Sequence, residues 1–383
     1  MKPIKPLGAR AHPQAGLTLV ELMVSVALGL LLVAALVTLL ININRNNTAL
    51  SVSNRLIENG RYTLQLLEAD LVHAGYWGGF VPRFDDLINA DVPDDVPSAV
   101  ADPCAPFGSW TNTDRNNLVG IALHSIDIPN PAPSPPAPVC AGAGGPIQNP
   151  RPNSDVIFLR HAQKCGGNCL TTTPAGNQRL FVQVQRCGST LGALGYQFGT
   201  SGLTFQNVRC DGPSEIRQFV SRIYYVRDVS GVPTLMRSDF GVVGGLPAHE
   251  PAQAMIDGVE AIRIAYGFDT VSDAGEAVDF TRAIDWASAD SETSPRNRGD
   301  GIPDGAYVRC TTATPCSAAQ WMNAVSVTLH VLVRADQRTP GHVDTKTYDL
   351  GGVSMGPFND DIRRHVFSKT IRLTNVSGRR ETP

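Results

Sequence analysis

One carboxylate, Glu21, stands at the start of an apolar run from Leu22 to Ile41 that is broken only by Ser25, Gly29 and Thr38. At the edge of a hydrocarbon layer an unpaired carboxylate costs on the order of a few kcal/mol, so Glu21 calls for a cationic partner. The other chemistry-bearing residues lie downstream. Eight cysteines, Cys104, Cys140, Cys165, Cys169, Cys187, Cys210, Cys310 and Cys316, fit an oxidising compartment by their even count. No two of them have the two-residue gap of a redox motif or a zinc knuckle, which points to structural disulfides. Pairing of sequence neighbours (104 with 140, 165 with 169, 187 with 210, 310 with 316) is a guess among roughly a hundred connectivities.

Gly299-Asp300-Gly301-Ile302-Pro303-Asp304 has the carboxylate and glycine placement of a calcium loop, but Arg296 and Arg298 occupy positions where further acidic ligands would stand. Asn297, Asp290 and Glu292 could still supply oxygens to a bent loop. A polar turn is the first expectation for Asp300 and Asp304, with calcium as the alternative and no other cofactor implied. Gly352-Val353-Ser354-Met355-Gly356 matches the nucleophile-elbow pattern, yet Pro357 follows at once and His365 lies too close to Asp360 and Asp361 for a triad drawn from separate loops. A glycine-rich loop is expected there. The eight histidines are scattered, without the i, i+4 pairing of a helical zinc site, and read as surface or hydrogen-bonded residues.

The elements that must position these residues begin with the apolar run, which is long enough to cross a hydrocarbon core of about 30 Å as a helix. Lys2, Lys5 and Arg10 precede it with no acidic residue, which keeps the N-terminus cytoplasmic and sends the rest of the chain outward. No small-residue cleavage site follows the apolar core, so the helix is expected to stay in the mature protein. Beyond it, Gly60, Leu64, Leu67, Leu71 and Ala74 repeat at steps of four and three as one apolar stripe, while Glu58, Arg61, Gln65, Glu68 and Asp70 fall on other faces. A helix from Leu17 to a stop at Gly75 would be about 87 Å long.

Gly16-Leu17-Thr18-Leu19-Val20-Glu21 resembles the type IV prepilin signature: a short basic leader, a glycine, then a hydrophobic helix with glutamate fifth after the glycine. The resemblance implies that a prepilin peptidase cuts after Gly16 and methylates the new amino group of Leu17, and that Glu21 pairs with an N-terminal amine during assembly. Leu17 departs from the phenylalanine usual at that place. An uncleaved signal anchor, with Glu21 held at the interface, is the alternative. The segment from Glu58 to Asp70, with Gly75-Tyr76-Trp77-Gly78 after it, resembles PilW-family minor pilins. That resemblance implies a non-catalytic subunit of the inner membrane, with a periplasmic head, that helps to initiate a type IV pilus at its tip. Its partners would be other minor and major pilins, the peptidase, an inner-membrane assembly platform and a tip adhesin. A minor pseudopilin of type II secretion shares the same helix and topology, and a signal-anchored periplasmic enzyme or binding protein is the reading outside the class.

The head begins with a stretch from Gly75 to Asn153 rich in proline, glycine and aspartate, including Pro129-Asn130-Pro131-Ala132-Pro133-Ser134-Pro135-Pro136-Ala137-Pro138, which reads as surface loops. Strands are expected afterwards, at 155–160, 180–185, 216–227, 259–266, 325–333 and 366–373. Val325, Val327, Leu329, Val331 and Val333 alternate as one buried face. No helix-length segment separates them, which favours an antiparallel sheet over βαβ units. The expected fold is α+β and type IV pilin-like: leader 1–16, a long helix 17–75 that spans the membrane at about 20–41, and a β-rich head 76–383. The net charge of −3 carries no nucleic-acid signal. Arg363, Arg364, Lys369, Arg372, Arg379 and Arg380 alternate with apolar residues as if on the solvated face of a strand.

Overall fold

The computed structural model describes residues 16, 18–131, 140, 145–165, 178–188, 195–286 and 295–381. They divide into two units, Met1–Val52 and Ser53–Pro383. Helix α1 spans Leu19–Leu71. The remaining helices are α2 (Asn112–Gly120), α3 (Ala318–Met322) and α4 (Thr374–Arg380). Strands β1 (Leu123–Ile128), β2 (Ser154–Lys164), β3 (Phe181–Val184), β4 (Tyr196–Gly199), β5 (Ile216–Val229), β6 (Val232–Val243), β7 (Leu246–His249) and β8 (Gln253–Asp257) form one sheet, ordered β1-β2-β5-β3-β4, with β6 joining β5, β7 and β8. Strands β9 (Val259–Phe268), β10 (Ala324–Arg334) and β13 (Arg364–Arg372) form a second, ordered β13-β10-β9, and β11 (Tyr348–Asp349) pairs with β12 (Ser354–Met355). Every pairing is antiparallel.

The stretch read as loop between Gly75 and Asn153 contains α2 and β1, and strands therefore start before residue 153. Both elements form for local reasons. Thr111 accepts a hydrogen bond from Asp114 N while the Asp114 carboxylate accepts from Thr111 N, a reciprocal cap that starts a helix despite its polar composition. Leu123 and Ile128 are then buried as β1 pairs with β2. Strands β6 and β7 also went unread, although their turns are written plainly: Ser230 and Gly231, then Gly244 and Gly245, take positive φ as two-residue turns whose twist matches the strands they join.

Within the head unit, α1 buries Leu56, Gly60, Thr63, Leu67, Asp70 and Leu71, with Ala74 just beyond it. Gly60, Leu67, Leu71 and Ala74 of the expected stripe are buried and Leu64 is half-buried, while Leu56, Thr63 and Asp70 join them. Phe367 of β13 lies where a Cβ on Gly60 would be, 2.1 Å from its ring, so the hydrogen side chain admits the aromatic. The end of α1 is capped by the other end of the chain. Asn375 Nδ2 donates to Val72 O at 2.8 Å, Thr374 Oγ1 to the same carbonyl at 3.2 Å, and Arg379 Nη2 to Gly75 O.

Just past α1, Trp77 stacks on Phe219 at 6.2 Å and donates its indole N–H to Val119 O at 3.0 Å, which locks the chain leaving α1 into an aromatic core with Trp110, Phe198 and Phe240. Gly60→Ala is expected to lower the stability of the head by about 1–3 kcal/mol through overpacking, measured by thermal or urea unfolding of the full chain. Adding Phe367→Leu should recover most of that loss.

Candidate functional site

The segment that could carry assembly chemistry lies at the start of α1. Gly16 is exposed, and Leu17 lies outside the described residues. Thr18 accepts the Glu21 N–H on its hydroxyl at 3.3 Å, and Leu22 N bonds Thr18 O at 3.1 Å, so Thr18 starts the helix and Glu21 falls in its first turn. There the Glu21 carboxylate is exposed at the positive end of the helix dipole, where an anion is favoured. Behind it Leu31 and Leu32 are each 67% exposed, and the exposed apolar residues continue from Leu19 to Ile43. A surface of this kind belongs against lipid or other apolar helices rather than water, and the helix is long and apolar enough to cross a membrane.

Among the described residues, Cys104–Cys140, Cys187–Cys210 and Cys310–Cys316 form disulfides that staple the head, with Cα separations of 5.3, 5.1 and 5.3 Å. Cys165 is buried against Phe181 and Ile216, and Cys169 lies outside the described residues. Asp300 commits an oxygen to its own turn and Asp304 one to the distant backbone at Thr270 and Val271. Asp300 Oδ1 accepts from Ile302 N at 2.8 Å, and Asp304 Oδ2 from Thr270 N at 2.6 Å and Val271 N at 2.8 Å. Asn297 spends its amide on Ala283 O and Asp285 N, while Asp290 and Glu292 lie outside the described residues. Ser354 sits on the two-residue strand β12, with no helix after it, and His365 packs on Phe367 instead of facing a carboxylate.

The basic C-terminal stretch is a solvated strand face only in part: Lys369 and Arg372 are exposed on β13, whereas Arg364 and Arg380 are buried. Arg364 has a side chain only 2% exposed, and it reaches Glu260 at 2.5 Å, Asp344 at 2.9 Å and Asp360 at 2.7 Å. Burial opposes its charge, but bonds to Asp360, Glu260 and Asp344 outweigh that and hold its pKa above the usual value. Arg379 and Arg380 belong to α4. Arg380 joins Asp85 at 2.9 Å and Asp269 at 3.1 Å, all three buried. Burial pushes the Asp269 carboxyl above its usual range despite the Arg380 charge.

Of the histidines, His124, His161 and His249 are buried, and His161 and His249 are hydrogen-bonded as expected. Burial pushes His161 down to about 4, and burial aided by the Arg160 charge pushes His249 down to about 3. His249 sits between the hydroxyls of Ser221 and Ser238 at 3.1 and 3.2 Å.

Residues 12–37 match the model of the prokaryotic N-terminal methylation motif, and residues 223–375 match that of the Type IV Pilus-assembly protein W family. The first match holds Gly16 and Glu21, and the second runs from within β5 to the first residues of α4. The chain thus carries the methylation motif of type IV pilin-like proteins at its N-terminus and resembles the PilW family over residues 223–375. Among solved structures it is similar to a type IV-like pilin, TTHA1219 from Thermus thermophilus, at 12% identity over 60% of this chain and 82% of that one, with a TM-score of 0.24. A comparison with curated protein sequences finds no match. The PilW-matched region supplies the buried Arg364–Glu260 pair and Asp269, which holds Arg380 of α4.

Arg380→Met should cost about 3–5 kcal/mol in urea unfolding, because it leaves Asp85 and Asp269 buried without a cation. Stability should also fall with pH. His161 and His249 are neutral in the folded head but take a proton near their ordinary value of 6.5 when unfolded. The unfolded chain therefore binds more protons between pH 6.5 and about 3 to 4, and stability is lost as pH falls through that window. The slope is at most about 1.4 kcal/mol per pH unit for each histidine, and His249→Gln should flatten its share in unfolding measured across pH.

Proposed function

We propose that the chain is a minor pilin, cut after Gly16, anchored in the inner membrane by α1 with its head in the periplasm, and assembled with other pilins to prime or cap a type IV pilus. The observation that carries this reading is the placement of Glu21. It stands in the first turn of an exposed apolar helix, five residues after Gly16, inside the matched methylation motif. Removal of the leader after Gly16 leaves a new α-amino group at Leu17 four residues from that carboxylate. Within a bundle of such helices, in a medium of low dielectric, an amine and a carboxylate attract strongly and fix the axial register of one subunit against the next. The apolar side chains that flank Glu21 then bury against neighbouring helices, and the head is carried outward.

The peptidase that cuts the chain, the platform that inserts it and the source of energy for extension are other proteins, since the sequence has no nucleotide-binding loop of the GKT type. No reaction is assigned to the chain itself. The PilW match favours a pilus over a secretion pseudopilus.

In a strain lacking the chromosomal copy, wild-type chain should restore surface pili, counted by electron microscopy. Glu21→Ala should be cut and membrane-bound but should restore fewer than about a tenth of them, in keeping with loss of one low-dielectric ion pair. Wild-type pilus numbers with Glu21→Ala would sink the proposal.

A further inference from the structure

Strand β1 ends the large sheet: it pairs with β2 on one side, and among the described residues no strand pairs with its other side. That free edge opens on a cavity of about 510 Å³, to which His124, Ser125, Ile126 and Asp127 of β1 contribute. The far wall is the Cys310–Cys316 loop with Trp321, and the third wall is Ala101–Pro103. The walls are fixed. Thr312 N donates to Asp127 Oδ1 at 2.6 Å, the disulfide closes the loop behind it, and Asp102 Oδ1 takes Cys104 N at 2.9 Å beside a second disulfide.

We propose that this edge and its cavity bind an extended basic segment of another polypeptide, which joins the large sheet as an added strand beside β1. The inference concerns the head and goes beyond the role of α1 in assembly. Three observations select this occupant. A free strand edge offers alternating N–H and C=O groups at the repeat of a polypeptide backbone, which an extended peptide matches. The lining carries Asp102 and Asp127 and no lysine or arginine, so it favours a cation over an anion.

The third observation is His124. It is 3% exposed, stacks on Phe158 at 4.6 Å, and has a ring Nδ1 without a hydrogen-bond partner, a buried polar atom at the cavity that a peptide group could satisfy. Burial and the nearby Arg160 charge keep the ring neutral, so it adds no repulsion toward a cation. Trp321 and the two prolines of the rim, Pro103 and Pro315, give the stem of a lysine or arginine an apolar wall.

The test uses the full chain in detergent micelles and the blocked peptide acetyl-Thr-Val-Lys-Val-Lys-Thr-amide. Matched forms carry glutamine or glutamate for both lysines, or N-methyl groups on alternate backbone nitrogens. Binding is read from amide NMR shifts of residues 123–128 and from tryptophan fluorescence. The lysine peptide is expected to shift β1 amides, the glutamine form to bind about fivefold more weakly, and the glutamate and N-methylated forms not to bind. Asp102→Asn with Asp127→Asn keeps the acceptors for Cys104 N and Thr312 N and should make the lysine and glutamine peptides bind alike. The proposal is overturned if the N-methylated form binds as well as the parent, if wild-type chain treats lysine and glutamine alike, or if N-acetyl-lysine methylamide alone gives the same shifts. Absence of any shift at millimolar peptide overturns it too. Should the double variant melt early, the lysine and glutamine comparison on wild-type chain still decides.

Discussion

The head depends on one carboxylate near the end of α1. Asp70 projects into the large sheet, where Arg222 Nη1 and Tyr224 OH of β5 both meet it, and Arg222 also holds Asp239 of β6 at 3.0 Å. A carboxylate removed from water needs such donors. With them it fixes rotation and height of the helix against the central strand of the sheet, and burial together with the Asp70 charge keeps the Tyr224 hydroxyl protonated. Contacts on both sides of Asp70 share that register: Phe367 meets Gly60, Lys369 meets Glu68 at 2.6 Å, and the chain leaving α1 is capped by residues of α4.

The head is thus fastened twice to the same helix, once through β5 of the large sheet and once through β13 and α4 of the small one. The fastening is ionic where it is most buried. Arg364 and Arg380 each sit among carboxylates drawn from distant parts of the chain, and Asp155 receives Arg263 and Arg309 at the junction of β2 with β9. Such clusters are poor sources of net stability, since desolvation offsets much of the attraction, but they are intolerant of misplacement. Among the described residues, the apolar side chains of the first turns of α1 are exposed, a surface suited to a fibre or a bilayer.

Local signals in the sequence were sufficient for much of this. The apolar run, Glu21 and Gly16 could be read because each is a matter of a few adjacent residues, and β2, β3, β5, β9, β10 and β13 because β-branched and aromatic residues cluster in them. What stayed hidden depends on partners far away in sequence. Arg380 looked like a surface cation because Asp85 is 295 residues earlier, and Arg364 because Glu260 is 104 residues earlier. Asp70 was read as lying off the apolar stripe of α1, where a carboxylate is normally exposed, and Arg222 and Tyr224 make its burial possible. Strands β6 and β7 were missed for a different reason: their turn residues were legible, but Pro233, Pro247 and several glycines masked the alternation between them.

The claim that ties fold to function is that α1 becomes an assembly helix by losing its leader. Mass spectrometry of the mature N-terminus, from wild-type cells and from cells lacking the prepilin peptidase, tests it most directly. The account predicts a chain beginning at methylated Leu17 in the wild type and an intact leader in the peptidase-deficient cells. A chain that still begins at Met1 in both, or is cut at the same place without the peptidase, would contradict it and leave α1 as an ordinary membrane anchor.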